Sequence, residues 1–408
     1  MPATSPLFWE SLAFSTTAAA IVTASVWWFF LSPLRAGPAI AGSSATASLA
    51  AAASRPSPRL AGWLAALLGL SAIDFVAGAL WDASKHILTG IVPAGADFLW
   101  PPHLLIYGSF LISLIIALIA VAIVAWPGWR AGERDPRRWI RRNPYLGLVA
   151  LASLYSLLSI PGDALWHTLY GIDLTAWSPP HLIIGFMMCA VTISAVGVLV
   201  QARPAQARWG GYDLAIPVLL GLMLNVAAIV GYIEWEIWGG AYPTLVRTNP
   251  LWVYPLVAGA LGAVILVLAR RLSRFRFAAT LTTLAFFGLR LAVMLGLNLT
   301  GNIVPSLPPV FILGAVLLDM LPWQRVPAGL ARDAAMAAGF TLGYVVIALP
   351  LLAVRDHLPP FSALDLTIAI IATLVVTTAL LPLVRLAGSF FVANASPAAS
   401  PRHTSAAA

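Results

Sequence analysis

Residues 163–181 read Asp-Ala-Leu-Trp-His-Thr-Leu-Tyr-Gly-Ile-Asp-Leu-Thr-Ala-Trp-Ser-Pro-Pro-His, and the rest of the chain can be interpreted from this stretch. Asp163 and His167 are four residues apart, so a helix places them one turn apart on the same face. The Pro-Pro pair favours the first turn of a second helix, which puts His181 beside its start. The stretch therefore predicts a helical hairpin whose mouth brings one carboxylate and two imidazoles together.

An earlier stretch has the same pattern. Asp82 and His86 are again four residues apart, and a Trp-Pro-Pro-His run ends at His103. Four of the six histidines fall in these two stretches, in a chain in which only 9% of residues are charged. The matched spacing predicts two metal sites with the same ligand types, namely Asp82, His86 and His103 in one, and Asp163, His167 and His181 in the other.

The composition is that of an integral membrane protein. The chain has 408 residues, of which 60% are hydrophobic, more than a soluble core of this size would bury. Apolar runs of the length that spans a bilayer recur along it, and we count about eleven by this criterion. The predicted fold class is all-α, a polytopic membrane bundle built from repeated helical hairpins that open outward.

The net charge of +8 reflects arginines grouped in short connections between the apolar runs. This grouping is typical of topology determinants and gives no reason to expect a nucleic-acid partner. Basic connections alternate with poorly charged ones, so both histidine hairpins should open at the extracytoplasmic face of the cell membrane. The N-terminus is then expected outside and the C-terminus in the cytoplasm.

The internal repeat divides the chain into four units, each with a helix, a short outer loop and a return helix that begins at proline. The last two units keep the outline of the repeat without its ligands. We predict a first transmembrane helix at 1–31, a flexible cytoplasmic linker at 32–59, ligand-bearing units at 60–126 and 145–202, degenerate units at 212–270 and 277–322, a C-terminal helical pair at 334–387 and a disordered tail at 388–408.

A purely structural explanation is that Pro-Pro starts a helix and that tryptophan anchors it at the membrane interface. This explanation suffices for the fourth unit, but it does not account for the Asp-x-x-x-His spacing in the first two. One carboxylate with two imidazoles suits Zn²⁺, Cu²⁺ or non-haem Fe²⁺, and the general order of affinities favours copper. Copper is therefore the expected cofactor, with zinc and iron as alternatives.

Other polar residues have weaker predictions. Asp97 and Asp173 precede the tryptophans of the two outer loops, so they could accept hydrogen bonds from the ligand histidines or simply be solvated. Asp74 and Arg290 occupy equivalent depths in the first and fourth units, which suggests a buried ion pair. Glu234 in the third unit could orient a substrate or stand unpartnered at the interface, and so could Glu236.

The run Asp163-x-x-Trp-His167, followed by a proline and His181-Leu-Ile-Ile, resembles the metal-binding hairpin in the C subunit of the copper membrane monooxygenases, the particulate methane and ammonia monooxygenase family. The resemblance covers residues 162–184. It implies a copper site made by Asp163, His167 and His181, and partner subunits of the monooxygenase type.

This sequence also departs from the family. The family has a second site of asparagine and two histidines in the following unit, where this chain has Ile233, Ile237 and Trp252. The set of Asp82, His86 and His103 has no expected counterpart in the family.

Three functions are compatible with these patterns. The first is a membrane metalloenzyme, or a subunit of one, that oxidises a small apolar substrate with O₂, the reductant coming from a quinol or a partner chain. The second is a copper or zinc protein for binding, storage or delivery without catalysis. The third is structural, with metal holding together hairpins that organise partner subunits or a homo-oligomer.

Overall fold

The computed structural model describes residues 56–88, 99–132, 134–170, 176–203, 210–237, 250–353 and 359–393. Every regular element in these ranges is helical, as the composition predicted. The first transmembrane helix predicted at 1–31, and nearly all of the predicted linker, lie outside the described residues.

The helices of the described ranges alternate along the chain with short connections. They are α1 Pro58–Ala83, α2 Pro101–Arg130, α3 Pro136–Arg142, α4 Pro144–Tyr170, α5 Pro179–Ala202, α6 Gly211–Glu236, α7 Val253–Leu272, α8 Ala278–Leu299, α9 Ile312–Met320, α10 Leu330–Ala353 and α11 Ala363–Ala393, with a π-helical turn at Ser84–Leu88 and a 3₁₀ turn at Trp323–Arg325.

Within the described part of the chain, nine of these helices are long and apolar enough to cross a membrane. They are all of the helices named above except α3 and α9, which have seven and nine residues. The protein is thus a multi-pass helical membrane protein. The helix α11 continues to Ala393, so the first residues of the predicted tail at 388–408 are helical.

One predicted helix is wrong in extent. The Pro-Pro pair of the fourth unit was expected to start a spanning helix at Pro308, but residues 302–311 are not helical and α9 begins only at Ile312. Three prolines in this segment remove backbone donors and disfavour helical geometry before each ring. The segment instead crosses the end of α6, where the backbone N–H and hydroxyl of Ser306 donate to the Glu236 carbonyl at 3.0 and 2.8 Å.

Helix α6 lies at the centre of the bundle. It packs against α1, α5, α7 and α8, and most of its side chains are buried on every face. A helix that is apolar all round is expected to occupy such a position. Gly221 permits the close approach of α8, since a Cβ there would lie 2.6 Å from the Thr282 carbonyl oxygen. Helix α1 of the first histidine hairpin and helix α5 of the second both pack against α6.

Ion pairs hold the end of the bundle at which α6 begins. Asp213, Asp319 and Asp333 are buried there, and each accepts an arginine: Arg203 at 2.8 Å, Arg270 at 3.3 Å, and Arg385, respectively. The basic connections predicted from sequence thus collect at one end. The two histidine hairpins open at the other.

Candidate metal centre

The first hairpin brings α1 and α2 into close contact just before the ligands. Gly78 lies one turn before Asp82, and a Cβ at this position would come within 2.8 Å of the Pro102 carbonyl oxygen. The Pro-Pro pair occupies the first turn of α2, as predicted, and His103 follows it directly. The missing side chain of Gly78 therefore lets the start of α2 reach the acid on α1.

The three predicted ligands of this hairpin converge. The Nε2 atom of His103 lies 3.0 Å from Oδ1 of Asp82, and Nε2 of His86 lies 3.5 Å from the same oxygen. The two imidazole rings stack with a centroid distance of 5.5 Å. One ligand atom from each residue lies within 4.8 Å of the others, so the set forms a compact cluster, which we call the first triplet.

The backbone that carries His86 is not the α-helix that the spacing suggested. Helix α1 ends at Ala83, and Ser84–Leu88 forms a π-helical turn. The Ser84 hydroxyl donates to the carbonyl of Ile303, in the non-helical segment before α9. A π-turn widens the helix locally and is frequent at functional sites. The fourth unit therefore helps to fix the geometry of the first triplet.

Aromatic rings enclose the first triplet. The ring of Trp100 lies 4.5 Å from that of His86 and 5.9 Å from that of His103, in both cases edge to face. Only 5% of the His86 side chain and 7% of the His103 side chain are exposed. Both imidazoles are thus shielded from solvent and lie against aromatic rings.

The second hairpin brings two of its three predicted ligands together. Helix α4 runs without interruption past Asp163, whose Oδ1 lies 3.5 Å from Nε2 of His181. Ser178 caps α5, and a Pro-Pro pair forms its first turn, as predicted. His167 is on α4, but the placement of its side chain lies outside the described residues. We call Asp163 and His181 the second pair.

Both hairpins face one cavity. A cavity of about 80 Å³ is lined by Asp82, His86 and His103 of the first triplet and by both members of the second pair. The remaining walls are mainly apolar, with Ile229, Val230 and Ile233 of α6 closing one side. The two sites that the sequence predicted separately therefore share one space.

Tyr107, which lines this cavity, and Trp177, next to Ala176 of the lining, were not assigned to the predicted sites. The Tyr107 hydroxyl donates to Oδ2 of Asp163 at 3.3 Å, while its ring packs 5.6 Å from the ring of His103. The indole N–H of Trp177 donates to the Val230 carbonyl at 3.0 Å. Tyr107 follows His103 by four residues, a helical spacing that could have indicated it.

Glu234 supports the second hairpin from α6. Its Oε1 accepts the backbone N–H of Ala176 at 2.9 Å, which fixes the residues that lead into α5. Glu234 is fully buried, so it is not a solvated interfacial carboxylate. It holds the approach to His181.

The predicted ion pair between Asp74 and Arg290 is wrong in its partner. Arg290 is fully buried and pairs with Glu236 at 2.9 Å, and its Nε donates to the Asn225 side chain at 3.2 Å. Equal depth in the membrane does not imply facing sides, and the side of α8 that carries Arg290 faces α6. Asp74 is half-buried on α1. Asp97 and Asp173, predicted to support the histidines, lie outside the described residues.

The third unit has apolar side chains at the positions where the resembled family has its second site. Ile233 and Ile237 are both buried, and Trp252 precedes α7.

The geometry of the first triplet fits a bound metal ion. Ligand atoms around a tetrahedral ion with bonds of about 2.0–2.1 Å lie about 3.3 Å apart. The two distances from Oδ1 of Asp82, 3.0 and 3.5 Å, bracket this value. One Asp and two His that line a cavity are a donor set that suits an accessible metal centre.

The chain was compared with protein families, curated proteins and solved structures, and none of them matches.

Proposed function

We propose that this protein is a membrane-embedded metal protein, with copper as its cofactor, that oxidises a small apolar substrate with O₂. The convergence of Asp82, His86 and His103 within 4.8 Å carries the proposal. The resemblance of residues 162–184 to a copper membrane monooxygenase subunit supplies the choice of metal and of reaction class.

The arrangement of the first triplet favours a metal over a hydrogen-bonded helix cap. A carboxylate has two oxygens for two donors, yet both imidazole Nε2 atoms approach Oδ1 of Asp82. Ionisable groups at membrane depth are costly, and are retained where they are paired or functional. A divalent cation compensates the carboxylate and uses both neutral imidazoles at once.

Copper suits this donor set, since imidazole and carboxylate ligands bind Cu²⁺ more tightly than Zn²⁺ or Fe²⁺. When bound, copper would supply the redox chemistry that O₂ activation requires. The side chains hold the ion and exclude water from it. The reductant would come from a quinol or a partner chain, and the partners would be subunits of the monooxygenase type or further copies of this chain.

The cavity limits the size and polarity of the substrate. About 80 Å³ accommodates only a few non-hydrogen atoms, and Phe75, Ile106 and Ile184 line it together with α6. Such walls favour apolar molecules, which can enter from the lipid. We place this end of the bundle at the extracytoplasmic face, because the arginines gather at the opposite end.

Non-catalytic copper or zinc binding, for storage or delivery, is the alternative. The near-complete burial of His86 and His103 favours storage in particular, because an enclosed ion exchanges ligands slowly. The two proposals predict the same metal content but differ in turnover.

Metal analysis and oxygen consumption of the purified protein test both. We expect at least one copper per chain, lost on the isosteric change Asp82→Asn and kept in Asp74→Asn, which alters an acid on the same helix eight residues earlier. Quinol-dependent O₂ consumption with small hydrocarbons or ammonia, absent from Asp82→Asn, would support the enzyme. Copper without such turnover would favour storage or delivery, and absence of copper, zinc and iron would contradict both.

A further inference from the structure

We infer that the first triplet and the second pair hold two metal ions as one coupled dinuclear centre, with Tyr107 as the positioning residue between them. This inference rests on the proposed function, since it requires the first triplet to bind metal. It adds the number of ions, their proximity and a residue that neither predicted site contained.

The first triplet and the second pair line one cavity. All five described ligand candidates line the same cavity of about 80 Å³. His181 of the second hairpin is also close enough to act electrostatically on the Asp82 carboxylate of the first. Ions bound at opposite walls of this cavity would be near neighbours, as in two-metal sites, where the separation is about 3.5–4 Å.

The donor groups in this cavity fall into two sets. Each carboxylate has its own imidazole from the facing helix, Asp82 with His103 at 3.0 Å and Asp163 with His181 at 3.5 Å. The cavity thus contains two sets, each with an acid and a histidine, and not a single set crowded around one point. Two carboxylates that line one mainly apolar cavity are costly to keep there, and two cations would offset this cost at both walls.

Tyr107 contacts both sets of donors. Its ring packs against His103 and its hydroxyl donates to Oδ2 of Asp163, the oxygen that does not face His181. This hydrogen bond leaves Oδ1 directed at His181. The rotation of the Asp163 carboxylate is thereby tied to the helix that carries the first triplet.

Titration of the metal-free protein with Cu²⁺, followed by metal analysis and electron paramagnetic resonance, tests the inference. We expect two Cu²⁺ per chain and a signal that integrates to well below two isolated spins, because neighbouring Cu²⁺ ions couple. His103→Ala and His181→Ala should each bind one fewer ion and give the full signal of isolated Cu²⁺.

Tyr107→Phe tests the positioning role. The affinity for the second ion should fall by about tenfold, the lower end of the range for residues that orient a ligand. The coupling between the two ions should change, while the first ion is retained. The matched control is Tyr212→Phe, whose hydroxyl donates to the Pro58 carbonyl at the other end of the bundle. Unchanged elution as a monodisperse species in detergent would establish that each variant is folded.

The outcomes separate this inference from the proposed function. Two ions with two additive, uncoupled signals would overturn the dinuclear centre, and so would a single ion that is lost in His103→Ala and unaffected by His181→Ala. Both of these results would leave the proposed metal site standing. Binding of no ion at all would overturn both.

Discussion

The first and second hairpins use the same ligand types, but the first buries its histidines most deeply and the second buries its aspartate. In the first hairpin the histidines are 5% and 7% exposed and Asp82 is 22% exposed. In the second hairpin Asp163 is 4% exposed and His181 is 26% exposed. A matched sequence motif therefore fixes which residues meet, whereas the surrounding helices decide which of them is shielded from solvent.

A difference of one residue before the prolines accounts for part of this contrast. Trp100 directly precedes its Pro-Pro pair and packs against His86, whereas Ser178 separates Trp177 from the second pair of prolines. Trp177 instead donates to the Val230 carbonyl of α6 and packs 5.3 Å from the ring of Trp235. Trp100 thus shields the first site, whereas Trp177 anchors the second hairpin to the centre of the bundle.

The helices that carry the acids differ as well. Helix α1 gives way to a π-turn directly after Asp82, while α4 continues as an α-helix beyond Asp163 despite Pro161 in its interior. The π-turn carries His86, and the hydrogen bond from Ser84 to the Ile303 carbonyl fixes this turn to the fourth unit. The first site consequently depends on the fourth unit, whereas the second depends on Tyr107 of the first unit and Glu234 of the third.

Removal of a ligand from the first hairpin should have the largest effect. His86→Ala deletes a buried imidazole that approaches Asp82 in an apolar setting, so we expect the affinity for the first ion to fall by more than about 100-fold, beyond the effect of a residue that only orients a ligand. The second ion should bind with at most a few-fold change. Isothermal titration with Cu²⁺ measures both, and an equal loss at the two sites would remove the distinction between the hairpins.

A change in the helix contact should come next. Gly78→Ala must displace α2, because the new methyl group would meet the Pro102 carbonyl and the Ile106 side chain within 3.0 Å. We expect the first ion to bind about 10- to 100-fold more weakly, as for other changes that misplace a ligand. Gly62→Ala on the same helix is the control, since a Cβ there meets nothing within 4 Å. Equal affinities in the two variants would contradict this account of α1 and α2.

The carboxylate of Glu234 on α6 should matter only to the second hairpin. Glu234→Ala removes the acceptor for the Ala176 N–H, so we expect the second ion to bind about tenfold more weakly. Glu234→Gln keeps an acceptor oxygen and should restore most of the affinity. A similar loss in both variants would mean that the charge of Glu234, and not its hydrogen bond, is what the second site requires.

The smallest effect is expected at the tryptophan that shields the first site. Trp100→Phe keeps an aromatic ring but reduces its contact with His86 and His103, a loss of about 0.5–1.5 kcal/mol for such pairs. We expect the first ion to bind a few-fold more weakly and the second to be unaffected. Competition with a calibrated chelator can resolve a change of this size, and a stronger effect on the second ion would contradict the role given to Trp100.

Local signals in the sequence predicted much of this arrangement. Length and apolar content define spanning helices, and the Pro-Pro pairs start α2 and α5 where expected. The Asp-to-His spacing also identified Asp82, His86 and His103, which the fold brings together. Each of these predictions depends on a local pattern, namely an apolar run, a four-residue spacing or a Pro-Pro-His run, and not on a contact between distant segments.

The remaining features depend on contacts between distant segments. The π-turn at Ser84 involves Ile303, the Arg290 partner is Glu236, and Tyr107 meets Asp163 across two helices. None of these pairs has a fixed separation in sequence that a pattern could reveal. The shared cavity was hidden for the same reason, since the facing of two hairpins is set by how both pack on α6.

X-ray absorption at the copper edge tests the central claim most directly, namely that Asp82, His86 and His103 bind a metal ion. For copper-loaded protein we predict a first shell of nitrogen and oxygen at about 2.0 Å, with outer-shell scattering from imidazole rings. In the His181→Ala background, which removes the second ion, the added change His86→Ala should lower the imidazole contribution when both proteins are loaded to one ion per chain. A shell dominated by sulfur, or a spectrum unchanged in this variant at equal loading, would contradict the account.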